Sequence, residues 1–315
     1  MKKKITIIIF GVLVFSVHAQ QRIDQKLTLA QSYEQIGDYD SATKLYEELY
    51  LSDPSNSQYI GALYRVYIQT KNYAAVVNIL EERIKQKPDD ISAYGMLGTS
   101  YYLMGNEEKA FEYWDKPFRS GSVNPMFYRV IADYAVERRA FEKAIELYEK
   151  GKEVSGDKIL FAYDLIRLYS LTMQFDKAAR EYCFILSSDP TQLQAVEIKV
   201  FENINRPGAL DATLKVVEDC ADKNIISFSY LLARLYAEQK SYEKAYETYL
   251  YIDEKQLSKG RDLYQFAQQM FTEKAYKLSS EVFEKITERY SNSPIISQAK
   301  LGYARSLEAS MGGEY

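Results

Sequence analysis

The stretch Gly37–Asn56, GDYDSATKLYEELYLSDPSN, reads as a tight turn, a short amphipathic helix and a stop. Tyr39, Ala42, Tyr46 and Leu49 follow one another at intervals of three, four and three residues, so they share one helical stripe. Gly37 supplies the turn, and Pro54 stops the helix because proline cannot continue its hydrogen-bond ladder.

The phrase returns along the chain. Its small central residue recurs as Ala42, Val76, Ala110, Ala144, Ala178, Ala212, Ala245 and Ser279, 34 residues apart except for the 33 between Ala212 and Ala245. Four residues after each marker stand Tyr46, Leu80, Trp114, Tyr148, Tyr182, Val216, Tyr249 and Phe283. A preceding helix carries its own columns. Leu29, Leu63, Leu97, Ile131, Leu165, Lys199, Leu232 and Phe266 form one; a mostly small residue follows each, as in Ala30, Gly98, Ala132, Ala233 and Ala267. Tyr33, Tyr67, Tyr101, Tyr169 and Tyr236 lie one turn further on. Two helices joined by a short turn approach closely only where side chains are small, and large residues on either side then fill the groove between them. A fixed period of this length indicates stacked units sharing a core.

The columns resemble the tetratricopeptide repeat family over 22–315, through the 34-residue period, the Leu-small pair, the first-helix Tyr, the turn and the closing prolines Pro54, Pro88 and Pro190. The resemblance implies an all-α fold, a right-handed superhelical solenoid of antiparallel helix pairs spanning residues 20–315. About eight units are expected, plus a ninth first helix opened by Ser293 and Pro294 with Ile296, Ala299, Tyr303 and Leu307 as its stripe. Lys199, Asn203 and Ala209 depart from the columns, and Pro207 and Gly208 occupy the turn, so the unit around Ala212 is expected to be irregular.

Met1–Ala19 reads as a signal peptide cleaved after Ala19: Lys2–Lys4, a short apolar run, then small residues. The expectation is an exported, periplasmic or extracellular protein of a bacterial envelope, with no membrane span after cleavage. Loss of the three lysines moves the net charge from −4 to −7, which argues against general nucleic-acid binding. The single histidine, His18, leaves with the signal. Without it, with no phosphate-binding glycine loop and no nucleophile elbow, no enzyme, metal site or cofactor is expected. Cys183 and Cys220 stand 37 residues apart on neighbouring units. A disulfide is open to them, but two buried thiols are the expectation, because cysteine is among the most buried residue types.

Recognition remains. In arrays of this family the first helices line the concave face. The positions off their packing stripe are Arg65, Tyr102, Arg129, Tyr163, Arg167, Tyr230, Arg234, Arg261, Tyr264 and Phe271, with Gly61 and Gly95 leaving room for a ligand backbone. Arg and Tyr are enriched at binding hot spots. The expectation is a scaffold gripping an acidic or aromatic peptide or protein segment, against a bland reading in which these arginines offset Glu137, Glu197 and Glu238. Cell-wall or acidic glycan binding, and an accessory role in outer-membrane assembly or secretion, are the alternatives. The family's Lys/Asn/Arg clamp on a terminal carboxylate has no counterpart at Leu27, Gln31, Ala62, Ser92 or Met96. Trp114 sits in a packing column and is expected in the core.

Overall fold

A computed structural model describes residues 21–119, 124–222 and 224–311. The expected signal peptide lies outside these residues. All secondary structure within them is helical, and the chain divides between Ser155 and Gly156 into two compact units.

The first unit contains α1 (21–35), α2 (Tyr39–Ser52), α3 (Ser57–Gln69), α4 (Tyr73–Gln86), α5 (Ile91–Leu103), α6 (Glu107–Asp115), α7 (Pro125–Glu137) and α8 (Phe141–Ser155). The second contains α9 (Ala162–Leu171), α10 (Phe175–Ser188), α11 (Leu193–Asn203), α12 (Ala209–Cys220), α13 (Ile226–Glu238), α14 (Tyr242–Gln256), α15 (Arg261–Thr272), α16 (Tyr276–Arg289) and α17 (Ile296–Met311). Odd-numbered helices are the first helices of the pairs, and even-numbered ones the second.

The turn inside every pair but the sixth is built the same way. A residue with left-handed backbone recurs at Gly37, Lys71, Gly105, Arg139, Met173, Lys240 and Lys274. The next residue's N–H then bonds back to the first helix, as in Asp38 to Tyr33 O, Asn72 to Tyr67 O, Gln174 to Tyr169 O and Ala275 to Met270 O. This is the Schellman closure, which satisfies carbonyls that the helix end would orphan. Asp38, Asn72 and Asn106 then cap the following helix from their side chains. Glycine fills the left-handed position only twice among these seven. In the other five pairs the closure holds a residue type that tolerates positive φ at a cost.

The sixth pair shows why its sequence looked irregular. Proline's ring holds φ at about −65°, so Pro207 cannot take the left-handed position, which passes to Gly208. The second helix starts at Ala209, three residues before its marker as in the other pairs, but its buried face is turned by one residue. Thr213 and Val217 are buried where Ala212 and Val216 were expected to be the deepest, and Ala212 is only half-buried. Arg206 Nη1 donates to Ser170 O and its guanidinium lies over the Phe175 ring at 5.2 Å, tying this turn to α9 and α10.

The other markers behave as the small column requires. Ala42, Ala110, Ala144 and Ala245 are fully buried, as is Ser279, whose hydroxyl donates to Ala267 O at 2.8 Å. Leu29 departs from its column: it is 47% exposed, because no helix precedes α1 among the described residues to cover that side. Lys199 is exposed on α11, and Ile296 and Leu307 are only half-buried, with Ala299 and Ser306 taking the deep positions of α17. Trp114 is fully buried, donating from Nε1 to Gly95 O at 3.1 Å.

Four of the 29 tyrosines make a repeated tie. The hydroxyl of a first-helix Tyr donates to a carboxylate on the second helix of the preceding pair: Tyr67 to Glu47 at 2.5 Å, Tyr101 to Glu81 at 3.4 Å, Tyr236 to Glu218 at 2.7 Å and Tyr303 to Glu284 at 3.0 Å. Each such bond contributes about 1 kcal/mol net, and the series fixes the register between neighbouring pairs. Arg83 adds a buried knot, donating to Asp90 at 2.7 Å and to Ser55 O and Ser57 Oγ, both at 2.8 Å.

The cysteine expectation is corrected. Cys183 on α10 and Cys220 on α12 form a disulfide, with Cα atoms 6.4 Å apart. The two second helices pack side by side, which brings the sulfurs together.

A candidate binding face on the first helices

In the first unit, Arg65 on α3 reaches back to Glu34 on α1, with Nε and Nη2 at 2.8 and 3.0 Å from its two oxygens. Tyr46 donates to the same carboxylate at 2.6 Å. The Arg65 hydrogen bond outweighs partial burial and holds the Glu34 carboxyl below its ordinary range. A group with a depressed folded pKa stabilises above its unfolded value, and that contribution is lost as pH falls through the folded value. Melting curves from pH 7 to 3 are therefore expected to show a steeper acid loss for the wild type than for Glu34→Gln. Parallel curves would contradict the pairing.

Tyr102 on α5 is half-buried, its ring against Phe111 and Trp114, so it belongs partly to the packing. Arg129 on α7 is exposed. The two expected glycines part company. A Cβ on Gly61 would meet nothing within 4 Å, so that position is open. A Cβ on Gly95 would lie 2.2 Å from the Tyr134 ring. Gly95 is there to admit Tyr134, and its expected role toward a ligand backbone is withdrawn.

In the second unit, Tyr163 and Arg167 are exposed on α9, and the Tyr163 hydroxyl donates to Gln192 at 3.3 Å. Arg234 on α13 is engaged from within. It pairs with Glu197 at 2.6 Å and lies over the Phe201 ring at 4.3 Å. Burial raises the Glu197 carboxyl and Arg234 opposes that rise, so this arginine follows the bland reading. Tyr230 donates to Asp262 at 3.0 Å; with Lys259 and Arg261 these two line a polar hollow at the start of α15.

Tyr264 and Phe271 are brought together. Both line a cleft of about 390 Å³ between α15 and α17, the last two first helices among the described residues. Phe283 of α16 forms its floor, with its ring edge-on to Tyr264 at a centroid distance of 5.4 Å. The far wall comes from Gln298, Leu301, Gly302 and Arg305 on α17. Reading α17 for its packing stripe missed these residues. The available signal was Leu301, an apolar side chain off the Ala299–Tyr303 stripe and four residues before an arginine.

The chain's candidate positions thus fall into two sets, one in each unit, and in the second unit Tyr264 and Phe271 line a cleft. Among the described residues no cluster of His, Cys, Asp or Glu could hold a metal ion, and no helix is long and apolar enough to cross a membrane.

The tetratricopeptide repeat family model matches residues 27–101. No curated protein matches the chain in sequence. Among solved structures it is similar to a MamA protein (17% identity, 55% of this chain and 94% of that one, TM-score 0.35). It is also similar to PilW, described as a widely conserved type IV pilus biogenesis factor (16%, 63% and 92%, TM-score 0.37). A third is a thermophilic TPR protein of Thermus thermophilus (16%, 56% and 96%, TM-score 0.35). The tetratricopeptide repeat match is to residues 27–101, and the helix pairs that follow repeat the same columns in the same order.

Proposed function

We propose that the chain is an exported, non-enzymatic scaffold of the bacterial envelope that holds a segment of another protein against its first helices. The observation that carries this reading is the open cleft between α15 and α17, where two successive first helices leave aromatic surface uncovered. Exposed Tyr163, Arg167 and Arg129 on other first helices supply the residue types that anchor partners. The disulfide supports export, since such bonds persist in oxidising compartments.

The test compares capture of proteins from envelope extracts with binding to purified wall polymers, using the wild type and an Arg129→Ala, Arg167→Ala double variant. Protein capture is expected, reduced at least fivefold in the variant, with little retention on the polymers. Retention on wall polymers without protein capture would favour the glycan reading. Capture unchanged in the variant would move contact to the second helices or the loops.

A further inference from the structure

The cleft in the second unit has a chemistry that narrows its occupant. Its volume, about 390 Å³, is at the lower end of the range for ligand sites. The Phe283 ring lies beneath the cleft, itself buried, because residue 302 is glycine and lets the ring pack against α17. A Cβ there would lie 2.6 Å from that ring. Phe271 and Leu301 form apolar walls, and Leu301 is 53% exposed, an apolar side chain left facing solvent beside the hollow. This part of the site suits one large apolar side chain.

The rim supplies polarity of one sign. Arg305 lines the cleft, is exposed, and has no ion-pair partner among the described residues. No Asp or Glu lines the cleft with it. The chain as a whole is acidic, so this cation stands apart from its background. Side-chain amides face each other across the opening. Gln268 uses Nε2 to donate to the Tyr264 hydroxyl at 2.8 Å, which leaves its carbonyl oxygen to accept from a peptide N–H. Gln298 offers a second amide from α17.

We infer that the cleft between α15 and α17 anchors an acidic peptide segment through one large apolar side chain held between Phe271 and Leu301, with Arg305 taking a carboxylate next to it. This rests on the scaffold reading and specifies its ligand. The Gln268 and Gln298 amides fix the backbone of the segment, and Arg305 selects against basic neighbours, since a like charge beside it would remain uncompensated.

The probes are three fluorescein-labelled decapeptides in a Gly/Ser frame with central Glu-Phe-Glu, Lys-Phe-Lys or Glu-Ser-Glu, titrated by anisotropy. The wild type is expected to bind the first at least tenfold more tightly than either of the others. Arg305→Glu is expected to reverse the choice between the Glu- and Lys-flanked peptides. Leu301→Glu is expected to remove the preference for Phe over Ser. Both side chains are exposed, so circular dichroism should confirm an unchanged helical fold. Equal binding of the three peptides, or a charge preference unchanged by Arg305→Glu, overturns the assignment. So does sedimentation showing that a second copy of the chain fills the cleft and that Leu301→Glu abolishes the association. If the peptides fail while Arg129- and Arg167-dependent capture persists, the cleft assignment falls alone. If capture by the wild type is absent too, the scaffold reading falls with it.

Discussion

Reducing the Cys183–Cys220 disulfide is expected to lower the stability of the second unit by about 4 kcal/mol. The bond closes a loop of 37 residues. In the chain-entropy account, cross-linking removes conformations from the unfolded state in proportion to the logarithm of that length. The loop encloses α11, whose buried residues are only Val196 and Val200, and α12, whose buried face is turned by one residue. The pair with the poorest match to the columns is therefore the one held covalently. Urea unfolding followed by circular dichroism, with and without reductant, measures the loss. A Cys183→Ser, Cys220→Ser variant should match the reduced wild type and be insensitive to reductant. Identical midpoints with and without reductant would show that the pair does not cross-link the folded chain.

The second large effect is expected at Trp114. Replacing it with Ala should cost the first unit about 4 kcal/mol, the usual range for deleting a fully buried large aromatic. The indole fills the space left by Gly98, where a Cβ would lie 2.3 Å from its ring, and stacks on Tyr102 and Phe111 at 5.8 Å. Its Nε1 donates to Gly95 O, so truncation also removes a buried hydrogen bond. Denaturant titration of the Trp114→Ala variant gives the loss directly. A variant that unfolds like the wild type but no longer binds its partner would instead make Trp114 a ligand platform.

The helix pairs were legible because their columns repeat: Ala42, Ala110 and Ala144 mark positions where two helices touch, and only small side chains fit there. The glycine reading of the turn was too narrow. Backbone closure onto the first helix holds Lys71, Arg139 or Met173 in the same conformation, and no side-chain pattern announces that. The slip in the sixth pair was visible as Pro207 and Gly208, but its consequence, burial of Thr213 and Val217, needed the φ constraint to be followed through. Pairing of Cys183 with Cys220 rests on the side-by-side packing of α10 and α12 and was not readable from column positions. At the candidate site, Tyr264 and Phe271 were found from their place off the stripe, whereas Gln268, Leu301 and Arg305 were missed. A cleft is made by what two helices leave unfilled, and a single-helix reading does not see it. Gly95 shows the reverse error, since a glycine on the expected face was already occupied by Tyr134.

The central claim is that a partner lies against the first helices. A photo-reactive amino acid placed at Leu301 on α17 or at Glu243 on α14 tests it most directly, because both positions are exposed and belong to opposite members of their pairs. After ultraviolet irradiation in envelope extract, position 301 is expected to yield a discrete cross-linked protein band and position 243 none. A band from position 243 with none from position 301 would place the partner on the second helices and contradict the account.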